Sequence, residues 1–324
     1  MTSPTDSPLA DLPPEKTAEF DPGLTRQFDS PINRAINKDG SFNVRRTGSG
    51  WRGFHPWLHV NRMSWAGFMA LVLSLYFLVN TVFAFLYFAM DPAQIHGAES
   101  STGFGRFIND FFFSAHTLTT VGYGSMSPAG IAANVTAALE ALVGLMGFAV
   151  ITGVLIARVS RPSAQIGYSR SALIAPFQGS TALMFRIANE RPNNLMEMQA
   201  RVMLMTVEPV AGRLERRFGE LKLERQSIVF FPLPWTIVHP ITTESPLFGK
   251  TAEDLTRLQA EVMILVKGFD ETFSQTVQSR YSYRFDEVVF GAKFQPSFHI
   301  GNSGSMVVDL EKLGDYEQVP GDRS

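Results

Sequence analysis

The sequence predicts a helical membrane unit with two spans and a re-entrant helix between them, followed by an all-β soluble domain. Three observations carry this. Ser64 to Met90 holds no charged residue and is long enough to cross a bilayer. A second apolar run, from Pro128 to Val159, holds one acid, Glu140, and one base, Arg158, near its end. Beyond Pro162 the pattern becomes short, strand-like runs broken by proline, glycine and asparagine, the pattern of a sandwich.

Each segment follows in order. Residues 1–32 carry Pro4, Pro8, Pro13, Pro14, Pro22 and Pro31 among scattered acids and read as a disordered tail without the basic start of a cleavable signal. Residues 33–63 form an N-terminal cytoplasmic segment, in which Phe42 and Val44 suit strand pairing with another segment. Within it Phe54, Trp57 and Leu58 fall at i, i+3, i+4, which predicts either a short helix lying in the membrane surface or an extension of the next helix.

The membrane domain is expected over 64–160. Its first span is 64–90, with Trp65 and Tyr87 suited to the two interfaces. Asp91-Pro92 ends that span, and a polar stretch leads to Gly105. Residues 107–119 are apolar but too short to cross, so they predict a re-entrant helix, which the bilayer tolerates only when protein surrounds it. The second span is 128–159. Arg45, Arg46, Arg52 and Arg62 precede the first span, and Arg158, Arg161 and Arg170 follow the second. The outer loop has only Arg106, so both termini are expected in the cytoplasm of an inner, plasma-membrane protein.

The β domain is expected over 163–313. Its strand-like runs are Thr181–Ala188, Leu195–Val207, Ser227–Phe231, Trp235–Val238, Val262–Val266, Thr276–Tyr283 and Val288–Phe290. A helix is expected over Ala252–Gln259, capped by Thr251 with Asp254 near a capping-box position. Residues 314–324 read as a flexible tail.

Thr120-Val121-Gly122-Tyr123-Gly124 carries the chemistry. It lies between the short apolar helix and the second span, where a pore loop would lie. Stacked backbone carbonyls, with a threonine hydroxyl, replace the water shell of a K⁺ ion, and the glycines permit backbone angles that a Cβ resists. One chain supplies one wall, so four copies are needed around the axis.

Several classes recede. A net charge of −2 gives no case for nucleic-acid binding, and the absence of cysteine excludes thiol chemistry. No spacing in the β domain pairs a nucleophile with a base, so an enzyme is not expected, nor a cofactor beyond K⁺ as permeant ion. No glycine-rich phosphate turn follows Pro162, and no helix carries arginine at every third position, which argues against nucleotide and voltage gating. A membrane-anchored binding or sensor protein with a silent pore remains the alternative.

The motifs resemble, in order, those of the inward rectifier potassium channels, most of all their bacterial members. Phe111-Phe112-Phe113-Ser114 leading into Thr119–Gly124 resembles the family's pore helix and filter. Ala157-Arg158-Val159-Ser160-Arg161-Pro162 resembles the basic end of its second helix, and Met184–Asn189 its first cytoplasmic core strand. Trp235–Ile241 with Ser245-Pro246-Leu247, Ser282-Tyr283 with Asp286-Glu287, and Asn43-Val44-Arg45 resemble further family segments.

The resemblance implies a homotetramer whose immunoglobulin-like domains extend the pore. It implies an apolar gate at Ile156, or at Leu155 beside it, with Gly144 and Gly153 available for bending or close packing. It implies a cytoplasmic constriction around Gly268, Phe269, Thr272 and Phe273. Arg158 and Arg161, joined by Arg62, stand where anionic lipid headgroups, phosphoinositides among them, bind in the family. Two positions depart. His116 stands where a carboxylate is common behind the filter, and Met126 where many animal members carry its arginine partner. Phe148 replaces the acid that draws Mg²⁺ and polyamines in strong rectifiers, which implies weak rectification. Ba²⁺, Mg²⁺ and polyamines are the blockers to expect. Glu140, with Gly144 and Phe148, is expected to line the pore, where the acid would either raise cation concentration in the cavity or brace the filter.

Overall fold

The computed structural model describes residues 23–24, 27–28, 34–45, 47–48, 56–98, 103–160, 164–210 and 213–319. The chain divides into two compact units, residues 46–161 and residues 1–45 with 162–324. A two-residue strand, β1 (Gln27–Phe28), comes first and pairs inside the second unit, where the sequence suggests a disordered tail. The rest of that expectation lies outside the described residues.

The helical unit begins with α1 (Pro56–Arg62). Ser64 then caps α2 (Trp65–Phe88), its hydroxyl accepting from the Gly67 amide. The 24 residues of α2 extend about 36 Å, enough for the apolar part of a bilayer. A short antiparallel pair, β2 (Ile95–His96) with β3 (Ser127–Pro128), flanks α3 (Gly103–Leu118). The unit closes with the 29-residue α4 (Ile131–Val159).

Two boundaries differ from the sequence reading. The re-entrant helix starts at Gly103 rather than at 107, because Arg106 is used inside its first turns: it reaches Asp110 at 3.7 Å and donates to the Met90 carbonyl. Pro128 does not open the second span. It pairs with Ile95, the Ala129 amide bonds the Gln94 carbonyl, and Gly130 becomes the cap of α4.

The second unit is a β-sandwich. Its remaining elements are β4 (Ile166–Tyr168), β5 (Ala172–Phe177), β6 (Ser180–Asn189), β7 (Leu195–Val210), β8 (Arg213–Leu221), β9 (Ser227–Phe230), β10 (Trp235–Ile241), α5 (Ala252–Arg257), β11 (Glu261–Asp270), β12 (Gln275–Arg284), β13 (Val288–Phe290), β14 (Ala292–Phe294), β15 (Phe298–Ile300), β16 (Met306–Val308) and β17 (Tyr316–Gln318). One sheet runs β1-β8-β7-β11-β12 with β9 on β7. The other runs β10-β6-β5-β13 with β4 on β6. Leu183, Phe185 and Ile187 alternate inward from β6 and join Val202 and Leu204 of β7 and Val262, Ile264 and Val266 of β11 in one core.

The capping box of Thr251 and Asp254 is present. The helix it starts ends at Arg257 because Gln259 takes a left-handed φ of 46°. β17 pairs with β14, so residues 316–318 are ordered where a flexible tail is expected. The expected pairing of Phe42 is limited to a single bridge with Ile36.

Candidate functional site

The site lies in the helical unit, where α3 ends. Past Leu118 the chain turns back on the carbonyls that a helix end leaves unpaired. The Thr120 amide bonds the Thr117 carbonyl at 3.0 Å. The amides of Val121 and Gly122 both bond the His116 carbonyl, at 3.0 and 3.3 Å. Thr120, Gly122 and Gly124 have φ of 59°, 53° and 82°, while Val121 and Tyr123 stay on the ordinary side. In a strand of ordinary residues successive carbonyls point to opposite sides. Reversing the hand at every second residue brings them toward one side, and here the amides are already spent on α3. Three consecutive N–H groups are tied back, which leaves the carbonyls above them without those partners, the arrangement a backbone cation site requires. Sequence reasoning located the glycines. It missed that Thr120 shares their conformation, which costs a β-branched residue about 1–2 kcal/mol.

His116 and Met126 both have work. The His116 ring meets the Tyr123 ring edge-on, with centroids 4.8 Å apart. Met126 packs on a cluster of Tyr87, Ile95, Ala98, Phe113 and Ala133, which fixes the chain leaving the filter against α2, α3 and α4.

Glu140 is not a pore-lining residue. It is fully buried inside its own chain, between α2 and α3. The Tyr87 hydroxyl donates to its Oε2 at 2.6 Å, and Ser114 Oγ meets its Oε1. Ser114 Oγ also lies 3.0 Å from Asn80 Oδ1, and Asn80 Nδ2 donates to the Tyr76 carbonyl at 2.7 Å. Tyr87, expected at an interface, is therefore an interior residue. The sequence marked Glu140 and missed Asn80 and Ser114. An uncharged Asn in an apolar span is the signal that could have found the first.

The remaining predicted residues separate. Gly144 is a packing glycine: a Cβ there would lie 2.0 Å from the Leu118 carbonyl oxygen, so α4 crosses the end of α3 backbone to backbone. A Cβ on Gly153 meets nothing within 4 Å. Phe148 and Ile156 stand free of their own chain at 70% and 60% exposure, whereas Leu155 is more covered at 37%. Arg158 is already engaged. Its guanidinium donates to the carbonyls of Val60 and Met63 and lies over the rings of Trp65 and Phe68, stapling the α1–α2 corner to the end of α4. Arg161 and the side chain of Arg62 lie outside the described residues.

In the β unit, Gly268 does not line an opening. It sits in β11 at a register shift, buried, and its Cβ would lie 2.1 Å from Met198 Sδ. Phe269 is likewise inside β11. Thr272 and Phe273 form the tip of the β11–β12 hairpin. Asp270, fully buried, holds that tip: its Oδ1 accepts from the amides of Thr272 and Phe273, and its Oδ2 from Asn193 Nδ2 at 2.8 Å.

Two further carboxylates hold the segment that precedes the helical unit. Glu261 Oε2 and Oε1 accept from the amides of Ala35 and Ile36 at 2.8 and 3.2 Å, and Ser282 Oγ donates to the Ile36 carbonyl at 2.8 Å. Glu287 pairs with Arg34 and with Lys38. Burial pushes its carboxyl up, but Lys38, the Arg284 amide and Arg34 together hold it below the usual range. His239 is lodged between the Lys222 carbonyl at 2.6 Å and Ser245 Oγ at 2.7 Å. Burial lowers its imidazole pKa, partly opposed by the Lys222 carbonyl. No cluster of three or more metal-binding side chains occurs among the described residues.

A family model described as the inward rectifier potassium channel C-terminal domain matches residues 166–323, and one described as an ion channel matches 71–161. The chain is 36% identical to inward rectifier potassium channel Kirbac3.1 of Paramagnetospirillum magnetotacticum, over 88% of this chain and 96% of that one. It is 28% identical to ATP-sensitive inward rectifier potassium channel 12 of Gallus gallus, over 82% of this chain and 67% of that one. It is also 28% identical to ATP-sensitive inward rectifier potassium channel 14 of Homo sapiens, over 94% and 76%. A filter loop between two spans, a sandwich behind them and these matches along the chain have one reading: the protein belongs to the inward rectifier potassium channels and is of the bacterial, KirBac type.

Proposed function

We propose that the protein is a K⁺ channel of inward-rectifier type, a homotetramer that conducts K⁺ passively and catalyses no reaction. The observation that carries this is the filter: left-handed backbone at Thr120, Gly122 and Gly124 with its amides bonded to the end of α3. Four such strands around an axis offer rings of carbonyls in place of an ion's water shell.

The finer features rest on exposure and charge. Ile156 is the gate residue, because it is free of its own chain while its neighbour Val154 is buried and Leu155 partly covered. Four such side chains meeting at the axis would block ions by dewetting. Thr272 and Phe273 at the hairpin tip are the cytoplasmic constriction. The protein lies in the plasma membrane with both termini inside, as the arginines outside the spans favour. Arg161, with Arg62, offers guanidinium groups to anionic lipid headgroups. Arg158 contributes its charge there while holding the α1–α2 corner. Phe148 makes the channel weakly rectifying, since no acid in its place attracts Mg²⁺ or polyamines.

Uptake of radioactive rubidium into K⁺-loaded liposomes tests the reading. Ba²⁺-sensitive uptake that fails in Na⁺-loaded vesicles is expected, with a change of rate when phosphoinositide is added and when Arg161 is made Gln. Absence of uptake from a folded tetramer in every lipid would overturn conduction. Strong block by internal spermine would overturn weak rectification.

A further inference from the structure

The buried chain Tyr87–Glu140–Ser114–Asn80 carries a proton count. Each contact needs one hydrogen between two oxygens, and the donors available are few. Asn80 Nδ2 donates to the Tyr76 carbonyl at 2.7 Å, which turns Oδ1, an acceptor only, toward Ser114. The hydrogen on the 3.0 Å contact between Ser114 and Asn80 must therefore come from Ser114. A serine hydroxyl has one hydrogen, so Ser114 has none left for Glu140. The hydrogen between Ser114 Oγ and Glu140 Oε1 must then belong to Glu140. Tyr87 supplies the hydrogen on Oε2 at 2.6 Å.

An ionised Glu140 breaks this count. Ser114 would turn to the carboxylate, and Asn80 Oδ1 would face an oxygen lone pair at 3.0 Å inside the protein. No basic side chain bonds to any side chain of the chain of four among the described residues. Of the bases on α3, His116 sets its ring edge-on to Tyr123, and Arg106 is spent on Asp110 and on backbone carbonyls. A bare carboxylate there would be a buried charge without a partner.

We infer that Glu140 is held as the neutral acid and acts as a positioning residue for the pore helix, donating to Ser114 and accepting from Tyr87, and adding no charge to the ion pathway. This rests on the channel reading for its functional consequence. Glu140 links the three helices two residues along α3 from His116, whose carbonyl holds the filter amides. The order of donors runs one way: Glu140 to Ser114, Ser114 to Asn80, Asn80 to the Tyr76 carbonyl.

The test pairs a vibrational readout with flux. The reconstituted full-length channel at neutral pH should show an infrared band of a protonated carboxyl that disappears in Glu140→Gln. No such band, or one unchanged in Glu140→Gln, overturns the protonated acid. Glu140→Gln keeps a hydrogen donor and an acceptor in the same shape, so it should conduct K⁺ as wild type does. Glu140→Ala, which leaves Ser114 and Tyr87 without their partner, should lower the K⁺ to Na⁺ flux ratio by about tenfold. Equal loss in Gln and Ala variants would mean that the charge itself is needed, and would overturn the inference. Should wild type carry no current at all, the channel reading falls, and the infrared band still decides the state of Glu140.

Discussion

The two units have opposite interiors. In the β-sandwich the core is apolar, with Phe185, Ile187, Val202, Ile237 and Val266, and its buried charges, Glu261 and Asp270 among them, lie outside that cluster. In the helical unit Asn80, Ser114 and Glu140 are fully buried while Leu73, Phe77, Leu78, Leu145 and Met146 are exposed. One principle produces both. Water drives apolar surface inward in the sandwich. Lipid offers no such drive and no hydrogen-bond partners, so polar groups gather inside and bond to each other. The sandwich has a complete core within one chain, whereas α4 leaves a long apolar face for lipid and for other copies of the chain.

The comparison can be broken most sharply at the filter. Gly122→Ala forces an ordinary residue into a left-handed backbone, at about 1–2 kcal/mol per subunit, in a ring where all four must agree. Selective rubidium uptake should vanish, while the fold of the sandwich, followed by its thermal unfolding, should stay. Uptake as selective as wild type would mean that the backbone alternation is not the site.

Packing without water predicts a smaller but clear contrast between two glycines of α4. Gly144→Ala puts a Cβ on the Leu118 carbonyl and should cost about 1–3 kcal/mol, read as a lower unfolding temperature of the tetramer. Gly153→Ala meets nothing within the chain and should leave that temperature unchanged or slightly raised. Equal effects would show that the close approach of α3 and α4 is not what Gly144 permits.

In the sandwich unit the buried acid Glu261 works differently from Glu140. Glu261 accepts two backbone amides and has Arg216 as its charge partner. Glu261→Ala should cost about 1–3 kcal/mol and free the amides of Ala35 and Ile36. Hydrogen exchange at those two amides should accelerate, with exchange in β6 and β11 little changed.

The smallest effect is a pH dependence. Burial depresses the imidazole pKa of His239, so the unfolded chain binds a proton there more readily than the folded one. The stability this gives is full above about pH 6.5, the unperturbed value, and falls away as pH drops toward the depressed value. Relative to wild type, His239→Gln should flatten the fall of unfolding temperature in that window. A steeper fall in the variant would reverse the sign.

Much of this was legible in the sequence, for physical reasons. Span length follows from bilayer thickness, so α2 and α4 were visible. Alternation marked β6, β7 and β12, because one face of each is wet. The filter was visible because left-handed backbone selects glycine, and Thr120 was hidden because it adopts that backbone without the glycine. The Glu140 network was hidden by distance, since Ser114 is 26 residues away and Tyr87 is 53. β1, β17 and the hold of Glu261 on Ala35 and Ile36 were hidden likewise, since their partners are far along the chain. Gly268 was read from its place in a family loop, and its burial against Met198 depends on a register shift that no local pattern announces.

The most direct measurement is the reversal potential of single channels in a planar bilayer, with K⁺ on one side and Na⁺ on the other. The account predicts a reversal potential far toward the K⁺ equilibrium value, lost in Gly122→Ala. A reversal potential near zero from the wild-type channel would contradict it.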